Sequence, residues 1–597
     1  TGTIVLQVAA NPALYGTKAN LLLALDEIKY SGAITVSNSL TTAADITDVL
    51  ALTTGKVTAT LDATTAISDA TVTALTHVNG TTDVISFTAA ASTTADATAL
   101  VALAAKVITA DATAFEGVTA ITEATANIGT NGAAVVSALN IAGNDATVSF
   151  NDTTAISAAS ADAIADATNG VVTATIKDGS VAATLKALKD VDTNDVLTFT
   201  STDKTVKASD LVALNSKIAN GTYTSIETIT ADAKDVSYVS AALAVANNAA
   251  VTITGTITAT QANTIAADPN AGNLTATVEA DTAANLVAKL VNTGATDILT
   301  LAVNGTTATA AHLNTLATKT GGKIKLDATE VTGDVAALTD LYVTNKASFT
   351  ALGNENVTIT GANPTAAELN TIAAATTGKV TATLAPATTI DAATVLALKD
   401  VKATDAITFV PTDSDLSGNA EINALISLNK ILPKADWSNI ATIEGTANDV
   451  SIIKQALAIA KNPALTVEIT AGIISAEDAN AIAKLAGGAL TATIKDGSVA
   501  ATLKALKDVV GDAGTNTLTF KSTDKTADAK TLVALDTLLG AGNGTFTSVK
   551  TITSKAADIG AAGATVIAAL VIAPNAAVTI TNGTISATDA NTIAKLT

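Results

Sequence analysis

Between positions 172 and 177 the apolar residues Val172, Ala174 and Ile176 alternate with Thr173, Thr175 and Lys177. A period of two predicts a half-buried strand. Asp178-Gly179 then reads as a turn. Ser180 is placed to cap a helix, because its hydroxyl can accept a free N–H of the first helical turn. Val181, Leu185 and Leu188 follow at i, i+4 and i+7 and share one helical face. The pattern predicts strand, tight turn, short helix and loop. Residues 173–191, TATIKDGSVAATLKALKDV, return unchanged at 491–509, 318 positions further on. The chain is therefore a repeat array.

A longer period divides that offset into three. One strand type opens at Ile34, Val148, Val251, Val357, Val467 and Val578, at intervals of 114, 103, 106, 110 and 111 residues. The resulting parse is a partial repeat at 1–33, five blocks at 34–147, 148–250, 251–356, 357–466 and 467–577, and the start of a sixth at 578–597. Each block holds about four strand–helix units. The helix after the opening strand has a recurrent start: ITATQANTIA (257–266), NPTAAELNTIA (363–373), ISAEDANAIAKL (474–485) and ISATDANTIAKL (585–596). Thr258/Gln261, Thr365/Glu368, Ser475/Asp478 and Ser586/Asp589 fit a capping box or its Asp variant. The copy at Ser157 has Ser160 in the acidic place. No Pro- or Ser-rich linker interrupts the series.

Strands joined in succession by helices are expected to lie parallel, with right-handed crossovers. The fold class expected is an α/β repeat solenoid, its stacked strand–helix units forming one long parallel sheet lined by short helices. About 21 strands at about 4.8 Å each predict a sheet on the order of 100 Å long. The alternative is an all-β parallel β-helix, which the threonine content favours. The repeated caps and i, i+4 stripes favour helices.

Composition sharpens this picture. Of 597 residues 48% are apolar but only 2% aromatic, which suits thin, uniform layers. There is no Cys and no Met, so disulfides and thiolate metal sites are excluded. All 33 basic residues are Lys and the net charge is −21. An acidic chain without Arg lacks the usual means of holding phosphates, so no nucleic-acid partner is expected. No apolar run nears the roughly 18 residues of a membrane helix. The chain opens at Thr1 in repeat-like sequence and closes at Thr597 inside a helix that earlier copies complete, which reads as a window on a longer or processed protein.

The phrases GNENVTITGANPTAAELNTIAAATTGKVTATL (353–384) and TIEGTANDVS (442–451) resemble very large Ala/Thr-rich cell-surface repeat proteins of bacteria, marine cyanobacteria in particular. The resemblance is one of repeat style and covers most of the chain. It implies secretion, a cell-surface or extracellular location, and calcium-binding nonapeptide repeats elsewhere in such proteins. The nonapeptide GGxGxDxUx does not occur here, so calcium dependence is carried over to no residue.

Candidate chemistry is sparse. His77 and His312 lie in different phases of the repeat, and no Ser–His–acid set can be assembled around them. Gly540, Gly542 and Gly544 follow a helical stretch and precede a strand-like one, the reverse of a phosphate-cradling loop, and read as a helix-ending turn. Calcium takes oxygen ligands from flexible loops. The candidates are Asp190, Asp192 and Asp195 in one loop and Asp413 and Asp415 in PTDSDLSGN, neither of which fits an EF-hand. Asn263, Asn370, Asn480 and Asn591 occupy one helical phase and read as a tolerated polar surface position, with a stacked hydrogen-bonding ladder as the alternative.

No catalytic residue or cofactor is expected, and the chain is read as no enzyme. The expected role is a structural element of a bacterial surface layer, extracellular fibre or matrix that associates with itself. The alternative is an adhesin or ligand-binding spacer, which would show exposed aromatics clustered on the sheet.

The parse makes a deletion test. Removing 357–466 takes out one block and joins Asn356 to Val467 in phase. Removing 365–377 takes out one helix, with Leu369 and Ile372, whose burial is worth roughly 1.5–3 kcal/mol each. Circular dichroism with limited proteolysis should show a near-parental melt for the block deletion and early local unfolding for the short one. The opposite order would rule out the block as the modular unit.

Overall fold

In a computed structural model the chain is described at residues 12–28, 30–62, 66–107, 114–509, 516–540 and 542–597. The first eleven residues of the opening partial repeat lie outside these. The protein is α/β, with 32 strand segments, 22 α-helices and several all-parallel sheets among the described residues. The all-β alternative is not seen. Two compact units are distinguished, one of Thr1–Glu279, Lys289–Thr300 and Thr320–Gly322, the other of Ala280–Ala288, Leu301–Lys319 and Lys323–Thr597. No helix among the described residues is long and apolar enough to cross a membrane.

Pairing passes from each coil of chain to the next. In the first unit Val148 pairs with Val172, Thr173 with Val196 and Phe199 with Gly221. In the second, Val331 pairs with Val357, Val357 with Val380 and Ala382 with Ile407. The interval varies, from 20 positions for Leu14 and Ile34 to 28 for Ala66 and Thr94.

The strand count exceeds the sequence expectation because extended backbone resumes beyond the corner. Val196–Thr200 is followed by Thr205–Lys207, and only then by the helix Ala208–Lys217. The expected turn at Asp178-Gly179 is such a place, since Gly179 bridges to Ser201 in parallel. The helix Val181–Ala187 is capped as expected, Ser180 accepting from the Ala183 N–H at 3.2 Å. Its buried stripe is rotated from the expected one. Val181, Thr184 and Leu188 are buried and Leu185 only half so. The duplicate repeats this arrangement, with Val499, Thr502 and Leu506 buried and Ser498 capping Ala501 at 3.2 Å.

Both halves of the capping box form at Thr258/Gln261 and Thr365/Glu368. They also form at Thr42/Asp45. Ser475 and Ser586 cap their helices with the forward bond alone, 3.0 Å from the Asp478 and Asp589 N–H. Asp478 accepts instead from the Ser475 hydroxyl at 2.8 Å and from Lys454 Nζ at 2.9 Å.

Coils approach closely at their corners. A Cβ on Gly378 would lie 2.1 Å from the Glu355 carbonyl oxygen, so no other residue fits. Two residues earlier, the buried Thr376 hydroxyl donates to that carbonyl at 2.7 Å and accepts from the Gly378 N–H at 3.0 Å. Thr320 and Gly322 repeat the device, with the Gly322 Cβ position 2.2 Å from the Leu299 carbonyl.

Eight of the fourteen aromatic residues form four pairs between neighbouring coils. Phe87 meets Phe115 at 5.6 Å between centroids, Phe199 meets Tyr223 at 6.4 Å, Phe409 meets Trp437 at 5.5 Å, and Phe520 meets Phe546 at 6.1 Å. Each block but one has its pair. The block opening at Val251 has Leu301 where the others have Phe. The indole N–H of Trp437 donates to Asn429 at 3.0 Å. Tyr223 has no such outlet. It is 3% exposed, and its hydroxyl is the one buried side-chain polar atom without a hydrogen-bond partner among the described residues. Burial pushes that phenol up to about 12.

Phe115 and Phe546 hold the place of Tyr223 without a hydroxyl. Tyr223→Phe should therefore raise stability by about 1 kcal/mol, since a buried donor without an acceptor costs roughly 1–3 kcal/mol. Thermal and denaturant melts would read this, and a clear loss would show that the hydroxyl is used.

Candidate functional site: a buried acceptor side chain repeated in each block

In each block parallel pairing leaves over the N–H that opens the strand of the second unit. At Val172 the neighbouring coil is still loop, because strand pairing begins one residue later, with Thr173 and Val196. A buried N–H without an acceptor is costly. Asp195 supplies the acceptor. Its Oδ1 takes the Val172 N–H at 2.8 Å, and its Oδ2 takes the Asp192 N–H of its own loop at 3.1 Å.

The same clip recurs. Asp83 accepts from Val57 and Asn79, both at 2.9 Å. Asp297 accepts from Leu274 at 2.8 Å and Gly294 at 2.9 Å. Asp405 accepts from Val380 at 2.9 Å and Lys402 at 2.8 Å. The four Asp residues are 2–7% exposed. In the block opening at Val467 the place falls to Asn516, whose Oδ1 accepts from Leu490 at 2.8 Å. What the site needs is an acceptor oxygen, and a formal charge is dispensable. The signal in the sequence was an acid or amide just before the strand of each block's third unit, in TTDVI, TNDVL, ATDIL, ATDAI and TNTL. In the sequence Asp195 reads only as one member of an acidic loop.

The helix phase of Asn263, Asn370 and Asn480 is a second clip, so the expectation of a merely tolerated surface position was wrong. Asn370 accepts from the Asp400 N–H at 2.7 Å and donates to the Asp400 carboxylate at 3.0 Å. Asn480 and Asp508 repeat both distances. Asn263 accepts from the Asn292 N–H at 2.7 Å, and Asp162, in the same phase, from the Asp190 N–H at 2.8 Å. Thr47 has the same place and donates to the Ala74 carbonyl. The ladder joins neighbouring coils. Asn591, in the last helix, is exposed.

Of the calcium candidates, Asp190, Asp192 and Asp195 do converge, lining with Asp166 and Asn169 a polar cleft of about 340 Å³. Both Asp195 oxygens are already engaged, and Asp192 accepts from the Asn194 N–H at 2.7 Å. Asp413 is half-buried in a turn, and Asp415 pairs with Thr442 as strand. Among the described residues no group of three or more His, Asp or Glu side chains is arranged to hold a metal ion.

His77 is exposed, and His312 Nδ1 lies 2.8 Å from its own helix cap Thr309. The structure does not bring them together. Gly540 ends the helix Ala529–Leu539 ahead of the strand Gly544–Thr545, as expected. The chain matches no known family model and no curated protein.

The clip predicts an order of stability. Asp405→Ala leaves the buried Val380 N–H without an acceptor and frees the part-buried Lys402 N–H, and should cost about 1–3 kcal/mol. Asp405→Asn keeps one acceptor, as Asn516 does, and should cost about half as much. Hydrogen exchange at Val380, with denaturant melts, should rank parent, Asn and Ala in that order, and equal effects of Asn and Ala would remove the acceptor argument. For calcium, chelation and re-addition should leave the melt unchanged, because Asp195 is committed to backbone. A rise with added calcium would mean the native state binds it.

Proposed function

We propose that the chain is a structural repeat element of a bacterial extracellular layer, fibre or matrix, built as a βα solenoid that associates with itself. The observation that carries this reading is the coil-to-coil continuity of parallel backbone pairing within each unit, secured once per block by the buried acceptor clip. Such a body resists local opening, because every coil shares backbone hydrogen bonds and buried side chains with its neighbours. Its role is mechanical: to hold spacing and to withstand proteases. The acidic surface keeps it soluble, and salt or divalent ions would screen or bridge that surface.

Imaging of the native protein in its cell-surface fraction tests this. Ordered sheets or filaments are expected. Dispersed single particles at every concentration and ionic condition, or confinement to the cell interior, would overturn the reading.

A further inference from the structure

The first unit carries one apolar cleft on its helical side, about 320 Å³ in volume, between the turn Ala233–Tyr238 with the helix Val239–Leu243 and the helix Ala259–Ala266. Its floor is Val239, Leu243 and Ile265, each 5% exposed or less. Ser240, Gln261 and Asp268 stand at its walls. Asp268 Oδ2 accepts from the Ser240 hydroxyl at 2.6 Å, and its Oδ1 from the Asn270 N–H at 3.0 Å.

The corresponding place in other blocks is filled by the chain itself. Asp235-Val-Ser-Tyr-Val-Ser240 aligns with Asp449-Val-Ser-Ile-Ile-Lys454, so Lys454 stands where Ser240 does. Counting from the helix caps Thr258 and Ser475, Asp478 stands where Gln261 does and Ile482 where Ile265 does. There, Lys454 reaches across to Asp478, 2.9 Å from Nζ to Oδ1, over the buried Ile453, Leu457 and Ile482. Two further blocks have a four-residue insertion and lay a glycine on the same isoleucine. A Cβ on Gly132 would lie 2.9 Å from Ile164, and one on Gly563 3.0 Å from Ile593. In the block of Ser240 both the lysine and the insertion are missing and the lysine's carboxylate partner gives way to Gln261, while the apolar floor remains and Asp268, standing where the other block has Leu485, brings a carboxylate to the rim.

We propose that this cleft binds a free primary alkylammonium ion of about lysine length. Its hydrocarbon chain lies on Val239, Leu243 and Ile265, and its ammonium group donates to Asp268. The chemistry is that of the lysine stem and head already seen at Lys454, an apolar chain on apolar surface with the charge at the rim. The carboxylate selects a cation over a neutral chain of equal length.

The test uses the full chain with labelled Ile, Leu and Val methyl groups and pentylammonium as probe, with pentanol as the neutral control. Saturable shifts of the Val239, Leu243 and Ile265 methyl resonances are expected, with pentanol about tenfold weaker or worse. Ser240→Lys places the chain's own ammonium in the cleft, as at Lys454, and should weaken pentylammonium binding about tenfold or more with the circular dichroism spectrum unchanged. Asp268→Asn gives a second reading should Ser240→Lys disturb the fold, and should bring pentylammonium down to the level of pentanol. No saturable shift, equal binding of pentanol, or undiminished binding in a folded Ser240→Lys or Asp268→Asn variant would overturn the proposal.

Discussion

A buried backbone N–H must find an acceptor, and this requirement governs how one coil can follow another. Parallel pairing satisfies the N–H groups of a strand only where the neighbouring coil is also extended. In each block the strand of the second unit begins beside a loop. The side chains of Asp83, Asp195, Asp297, Asp405 and Asn516 replace the missing carbonyl there. Each holds the strand of the preceding coil, and each Asp holds its own loop as well, so register and loop shape are fixed by one group. The helix-borne Asn and Asp residues act in the same way across the opposite side of the coil.

Close stacking also limits what side chains the layers can hold. Ala, Val, Leu and Ile fill most of the interior. At four levels one coil makes room for an aromatic ring and the next supplies a second against it. Backbone contact at the corners is tighter still, and Gly322 and Gly378 are required there because a neighbouring carbonyl occupies the Cβ position.

Much of the fold was legible in the sequence. The period-two strands, the helix caps and the block interval rest on local chemistry that a linear pattern exposes. The parallel order followed from the helix between successive strands. Three features were not legible in this way. The second strand segment past each corner has a turn sequence, Asp178-Gly179 for example, and becomes extended only because a neighbour bridges it. The helical stripe through Thr184 follows the surface beneath it, so a seven-residue helix is turned toward i+3 where hydropathy alone favoured Leu185. The clips were visible as recurrences, but their partners lie 23 to 30 residues away across a coil boundary. Their purpose could not be read without knowing which backbone groups the pairing leaves over.

The nineteen-residue duplicates acquire a different meaning against this geometry. Segments at the same position in other blocks, such as the one opening at Thr275, build the same strand and helix from other residues. Asp gives way to Asn at the clip, and Phe to Leu at the aromatic pair, with the coil intact. Physical requirements thus leave wide latitude at most positions of the unit, and they do not account for nineteen identical residues in two copies. That identity is better explained by descent. The copies lie three blocks apart and the identity stops at their borders, with Val172 against Leu490 and Asp192 against Val510, so it marks a short copied segment and not a duplication of whole blocks.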